Sequence, residues 1–193
     1  MSQVNGSVKI FLIFVFTLIF FVSILEAQNL DLSILKIVNG TPQPIFDIPK
    51  IVISSDYFAG LLGFSSILIN PSQTLITFGV TLGEVEFFKD LFQRPRPFQT
   101  YDWVIKRANA SGYSMPSGHS AMAFESAYIW SEYFPQFSPL FFSIATYVAI
   151  SRVYYGVHYP SDVIIGGIIG YLTAFTISKN LKNYPVIQFS YAF

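Results

Sequence analysis

"VIIGGIIGYLTAFTIS", residues Val163 to Ser178, carries no charge and spaces Gly166, Gly167 and Gly170 along an otherwise bulky apolar run. A membrane strand would alternate apolar and polar positions; this stretch does not, so it reads as a helix. Its glycines suit close approach by a second helix, because no side chain keeps the two backbones apart. Four more apolar segments precede it, at about Ile51–Ile69, Leu75–Phe92, His119–Phe134 and Leu140–Val157. Several fall short of the ~20 residues that cross a bilayer, so their ends belong in the interface. "NPSQT" (Asn70–Thr74) and "FPQFSP" (Phe134–Pro139) read as tight turns, since proline and small polar residues interrupt the helical pattern. The expected architecture is all-α, a polytopic membrane helical bundle with about five to six transmembrane helices.

Composition points the same way. A chain of 193 residues has room for one core. Hydrophobic residues make up 52% of it, with 21 Phe and only 11% charged residues, which is membrane rather than soluble usage. Formal net charge is zero, so no basic surface invites nucleic acid. The absence of cysteine excludes disulfides, thiolate metal sites and a Cys nucleophile. Ile10–Leu25, preceded by Lys9, is either a signal-peptide core cleaved after Ala27 in "LEAQN" or a retained first span. Residues 1–27 are set apart on that ground, 28–180 form the membrane domain, and 181–193 are a tail. Either fate of the leader leaves Gln28 on the outer side.

With Gln28 outside, alternating spans bring Lys89–Pro97, Gly112–Ser120 and Arg152–Asp162 out on the same outer face. Lys9, Lys179 and Lys182 fall inside, in keeping with the positive-inside bias. Arg94, Arg96, Arg107 and Arg152 lie against that bias, and a bound anion would give them a reason. Both histidines of the chain, His119 and His158, sit on this face beside Pro-Ser pairs. "MPSGHSAMAF" places Ser117 and Gly118 at the opening of a helix, whose N–H groups and dipole make an anion seat. In "SRVYYGVHYPSD", Pro160 suits the first turn of the last helix and puts Asp162 within reach of His158. A carboxylate on one ring nitrogen would fix the tautomer and leave the other nitrogen to attack.

These segments together resemble the type 2 phosphatidic acid phosphatase and vanadium haloperoxidase superfamily. Its pattern is Lys, six residues, Arg-Pro; then Pro-Ser-Gly-His; then Ser-Arg, five residues, His, three residues, Asp. The chain has Lys89…Arg96-Pro97, Pro116-Ser117-Gly118-His119 and Ser151-Arg152…His158…Asp162, in that order. The spacing selects Arg96 of "QRPRP" and leaves Arg94 to meet lipid headgroups. The likeness covers roughly Leu30 to Ser178 and is weaker in "LDLSILKIVNG". It implies that Lys89, Arg96 and Arg152 bind phosphoryl oxygens, with Ser117 and Gly118 adding hydrogen bonds. It implies further that His158 is a nucleophile forming a phosphohistidine, that Asp162 orients it, and that His119 protonates the leaving oxygen. Fixed cations aimed at equatorial oxygens supply the electrostatic stabilisation such a transfer needs, so neither metal nor cofactor is expected.

The implied function is hydrolysis of a lipid phosphate or diphosphate by a multi-pass protein of the cytoplasmic (inner) membrane, at its outer face. Phosphatidic acid, phosphatidylglycerophosphate, undecaprenyl diphosphate and lipid A phosphates are the substrate candidates. The motifs report the phosphoryl seat and not the lipid, and no feature sets an oligomeric state. A vanadate-dependent haloperoxidase and a non-catalytic lipid-phosphate binder are the alternatives. Taken singly, Lys89 reads as a helix-end anchor or as a partner of Glu86. Each histidine alone reads as an interfacial residue bound to backbone. Glu84 and Glu125 lie within apolar segments and read as structurally paired carboxylates. Tyr154, Tyr155 and Tyr159 read as an interfacial aromatic belt.

Overall fold

The structure, a computed structural model, describes residues 29–41 and 65–181. The expected leader or first span (1–27), most of the expected Ile51–Ile69 span and the tail beyond 181 lie outside the described residues. All regular structure among the described residues is helical. Helix α1 covers 29–40 and α2 covers 65–69. They are followed by α3 (Pro71–Phe92), α4 (Pro97–Thr100), α5 (Gly118–Tyr133), α6 (Ser138–Tyr154) and α7 (Pro160–Leu181). The last four expected spans thus correspond to α3, α5, α6 and α7. Among the described residues one helical stretch, Pro160–Asn180, is by itself long and apolar enough to cross a membrane.

The turns follow from their residues. Asn70 caps α3 by accepting from the Gln73 N–H at 3.0 Å, and Pro71 fills the first helical position, where no N–H is needed. "FPQFSP" forms a 3₁₀ turn at Pro135–Phe137 before α6 begins at Ser138. At the far end of α6, Gly156 adopts φ +70°, and a Cβ there would meet the Ile105 carbonyl at 2.6 Å. Only glycine fits both the backbone conformation and the space.

Helix α3 is inverted relative to a helix of a soluble protein. Its exposed side carries Leu75, Ile76, Val80, Leu82, Phe87 and Leu91, while Gln73, Thr74, Thr77 and Thr81 are buried. Such a helix suits a solvent of hydrocarbon, with polar side chains turned inward to one another. Thr74 Oγ1 donates to the Ser66 carbonyl (2.9 Å) and Thr77 Oγ1 to the Gln73 carbonyl (2.7 Å). Gln73 Nε2 donates to Glu132 (3.0 Å), which also accepts from Ser178. Glu84 accepts from Thr173 Oγ1 at 2.6 Å, the structural pairing its position suggested. Glu125 differs from that expectation: both its carboxyl oxygens are buried without a hydrogen-bond partner among the described residues.

Helices α5 and α7 approach most closely, through the glycines of "VIIGGIIGYL". A Cβ on Gly166 would stand 2.3 Å from the Ser117 carbonyl, and one on Gly170 would stand 1.9 Å from the Ala121 carbonyl. Ala123 and Ala127 of α5 keep the opposite interface thin as well, against Ala145 and Val148 of α6. Ordinarily Gly→Ala in a helix stabilises by roughly 0.5–1 kcal/mol. At Gly170 the sign reverses, because the methyl would push α7 off the α5 backbone. Gly170→Ala is therefore expected to lower the thermal midpoint in detergent, whereas Gly83→Ala, with nothing within 4 Å of its Cβ among the described residues, leaves it equal or higher.

Candidate active site

One end of the bundle gathers the C-termini of α3 and α6 and the N-termini of α5 and α7. Gln93, at φ 46°, ends α3 by donating its N–H to the Lys89 carbonyl (2.9 Å), and Pro95 and Pro97 stiffen the exit. Ser117 caps α5, and its own N–H donates to the Asp162 carbonyl (2.9 Å), tying the start of α5 to the start of α7. The Ser114 N–H donates to the Arg94 carbonyl at 2.8 Å. The segment between α4 and α5 is irregular but stitched down. Asn39 of α1 exchanges 2.9 Å bonds with both backbone groups of Ile105, and the Arg107 N–H donates to the Tyr155 carbonyl at 2.9 Å. Val104 packs into a core cluster with Leu35, Val153 and Tyr159.

His158 lies at the centre, 3% exposed. Its Nδ1–H donates to the Ser114 carbonyl at 2.7 Å, because a carbonyl can only accept; Nε2 therefore keeps its lone pair. Arg96 Nη1 stands 3.3 Å from that Nε2. The Asp162 carboxylate was the expected orienter, yet its Oδ2 is 3.6 Å from Nδ1, beyond a hydrogen bond. Its oxygens are committed elsewhere, Oδ2 to the Tyr159 N–H (2.9 Å) and Oδ1 to Arg94 (2.8 Å). The backbone of Ser114 sets the tautomer, and Asp162 supplies negative charge close enough to stabilise a cationic ring. Burial pulls the His158 pKa down to about 4 despite Asp162, with Arg96 and Arg152 pulling in the same direction, so the resting imidazole is neutral.

The structure brings Arg96, Ser117, Arg152, His158 and Asp162 together as buried groups at this end, with Gly118 and His119 half-buried in the first turn of α5. Arg96 donates to three carbonyls, those of Gly112 (3.1 Å), Ser111 (2.7 Å) and Val157 (2.9 Å), which aims its guanidinium at His158. Burial, and then the like charge of Arg152, hold the Arg96 pKa below the usual arginine value. Two buried guanidiniums sharing one field are an arrangement that an anion relieves. Lys89, its side chain 19% exposed in the last turn of α3, bonds the exposed Glu86 through Nζ at 2.6 Å.

Two expectations are corrected. Arg94 does not face lipid headgroups: it bridges Asp31 of α1 and Asp162 of α7, both at 2.8 Å, and stacks on Tyr159 at 3.8 Å. Tyr154 and Tyr159 are no interfacial belt, being 1% and 4% exposed beneath Arg107 and Arg94. Among residues that sequence reasoning passed over, Asp31 and Asn39 left a signal, since Asp31, Leu35 and Asn39 recur at helical spacing and form the buried stripe of α1. Ser114 left none, because it contributes a backbone carbonyl.

The neutral His158 carries a stability prediction. The unfolded chain binds a proton on this residue near the ordinary 6.5, whereas the folded chain binds it only near 4. Stability is therefore complete above about pH 6.5 and is lost as pH falls towards 4, by an amount on the order of 3 kcal/mol. Thermal midpoints in detergent across that window should fall steeply for the native chain and less steeply for His158→Asn.

Comparisons with known proteins bear on the fold and the family. The chain is 28% identical over 127 residues to the lipid A 1-phosphatase of Rhizobium johnstonii, a match covering 57% of this chain and 52% of that protein. It thus spans about half the length of that relative. A putative undecaprenyl-diphosphatase of Escherichia coli K12 is 29% identical over 168 residues, covering 76% of this chain and 82% of its own. Among solved structures, the LpxE protein of Aquifex aeolicus superposes with a TM-score of 0.66 at 25% identity, over 78% of this chain and 95% of that one. A transmembrane PAP2 type phosphatidylglycerolphosphate phosphatase from Bacillus subtilis has the same fold, with a TM-score of 0.64 at 24% identity over 91% of this chain and 96% of its own. The family model of the PAP2 superfamily matches residues 68–184, which take in every site segment from Lys89 to Asp162, and the chain belongs to that superfamily.

Proposed function

We propose that the chain is an integral membrane phosphatase that hydrolyses a lipid phosphate monoester or diphosphate through a phosphohistidine on His158. The observation that carries this reading is the buried neutral imidazole, with Nδ1 bonded to Ser114 and Nε2 3.3 Å from Arg96. A phosphoryl group seated between Arg96 and Arg152 presents its phosphorus to that lone pair. The relatives' names cover lipid A, undecaprenyl diphosphate and phosphatidylglycerolphosphate. They share the phosphate and differ in the lipid, so the substrate class is the lipid phosphate.

In the first step Nε2 bonds to phosphorus, the P–O bond to the lipid breaks, and His119 gives its proton to the leaving oxygen. Asp162, 3.6 Å from the ring, stabilises the imidazolium charge that develops. Water then attacks the P–N bond, His119 takes back a proton, and inorganic phosphate leaves. Arg96, Arg152 and the N–H groups at Ser117 and Gly118 hold the equatorial oxygens, and Lys89 joins them by exchanging Glu86 for phosphate. These cations supply the positive charge, so the reaction is metal-independent. Residues 28–180 constitute the phosphatase domain, five to six helices cross the cytoplasmic membrane, and the site opens to the exterior. The inverted face of α3 supports the membrane placement.

The chemistry is tested with purified full chain in detergent against phosphatidic acid, phosphatidylglycerophosphate, undecaprenyl diphosphate and lipid A. Wild type is expected to release phosphate from at least one lipid and to trap an acid-labile phosphoenzyme on rapid quench. His158→Ala should show neither, and substantial turnover by that variant would falsify the mechanism. Sidedness is tested separately in this cysteine-free chain. Ser111 lies exposed at the site end and Asn180 at the far end of α7, which is about 33 Å long. Ser111→Cys should react with a membrane-impermeant thiol reagent on intact cells and Asn180→Cys should not. The reverse labelling would place the site in the cytoplasm.

A further inference from the structure

Arg94 lies outside the spacing that marks the phosphate ligands, yet it bonds α1 and α7 at once beside the site. Its Nη2 bonds Asp31 of α1, while its Nη1 bonds Asp162 (2.8 Å) and Ser161 Oγ (2.7 Å) at the start of α7. Asp31 in turn accepts from the Ser161 N–H at 2.7 Å, so α1 caps an N-terminal donor of α7. The Arg94 carbonyl accepts from Ser114 N–H, and Ser114 Oγ donates to the Pro95 carbonyl at 3.2 Å. Ser114 is the residue whose own carbonyl holds His158 Nδ1. A continuous chain of contacts therefore runs from Asp31 through both the side chain and the backbone of Arg94 to the ring of His158.

Charge makes Arg94 hard to replace. Asp31 and Asp162 are 4% and 0% exposed, and the guanidinium between them bonds both. A planar fork reaches two carboxylates at once, which a lysine ammonium on a single flexible stem does poorly. Without Arg94, two buried carboxylates face one another and the start of α7 is pulled from α1. His158 and Asp162 flank that start, so the attacking nitrogen moves with it.

We propose that Arg94 is a positioning residue for phosphoryl transfer, and that Asp31 makes helix α1 a working part of the active site rather than a peripheral support. The inference rests on the phosphatase reading above. It concerns the aim of the nucleophile, so it predicts a loss in kcat with the phosphate seat intact.

The test measures kcat and KM on the panel lipid that wild type turns over fastest, together with competitive inhibition by inorganic phosphate, which reads the cationic seat alone. Arg94→Lys and Asp31→Asn are expected to lower kcat on the order of 10²-fold, as a misplacement of about 1 Å does. Phosphate inhibition should stay within about twofold of wild type in both, while Arg96→Ala weakens it strongly. Thermal midpoints taken in parallel confirm that folded protein is being assayed. A second arm uses Arg94→Ala, where methylguanidinium in the buffer should restore part of kcat, and where adding Asp31→Asn should raise kcat by removing one of the two opposed carboxylates. The proposal is overturned if folded Arg94→Lys and Asp31→Asn keep wild-type kcat, or if phosphate inhibition falls in step with Arg96→Ala, which would make Arg94 a direct ligand. The phosphatase reading fails differently, by turnover surviving in His158→Ala, so the two failures are told apart.

Discussion

The contact between the glycine face of α7 and the first turns of α5 is the constraint on which the site depends. The Gly166 Cα lies so near the Ser117 carbonyl that no side chain fits between them, and Gly170 repeats the arrangement one turn on, against Ala121. Because the helices meet backbone to backbone, the Ser117 N–H reaches the Asp162 carbonyl and the two N-termini become neighbours. Each N-terminus carries a partial positive charge and N–H groups without intrahelical partners. Bringing two together costs electrostatic energy, which the close backbone packing of α5 on α7 has to offset. In lipid, where no hydrophobic force draws helices together, such close packing is what the bundle has to hold itself with.

Around this junction the buried charges are arranged in two layers. The layer nearer His158 contains Arg96 and Arg152, whose like charges oppose one another. The layer behind it sets one arginine, Arg94, against two aspartates, Asp31 and Asp162. Desolvation opposes the charge on both Arg94 and Arg96, but the outcomes differ: paired aspartates raise the Arg94 pKa, and the neighbouring Arg152 helps to lower that of Arg96. Residues two apart in "QRPRP" thus do different work. Arg94 is matched by two carboxylates, whereas Arg96 is held by backbone carbonyls.

Away from the site the bundle follows the logic of an apolar solvent. Thr74 and Thr77 return their hydroxyls to carbonyls within reach, and Glu84 and Glu132 accept from hydroxyls on α7. This inward column of polar groups lets α3 turn its leucines, isoleucines and phenylalanines outward. Thr81 and Glu125 are the exceptions, a buried hydroxyl and a buried carboxyl without a hydrogen-bond partner among the described residues.

Much of this was legible in the sequence. Four helices, the Asn70 and Pro135 turns, the glycine face of α7 and the three motif segments follow from periodicity, turn chemistry and spacing. These are local properties, decided within a few residues of one another. Tertiary structure decided the partners. That Arg94 joins Asp31 to Asp162, and that Tyr159 lies beneath Arg94 rather than in an aromatic belt, both depend on segments distant in the chain. The orientation of His158 illustrates the limit most clearly. A carboxylate at the right spacing pointed to Asp162, but the ring nitrogen donates to a backbone carbonyl, and every residue carries one of those. Side-chain chemistry is written in the sequence; which main-chain group lies 2.7 Å from a histidine is set only when the helices have packed.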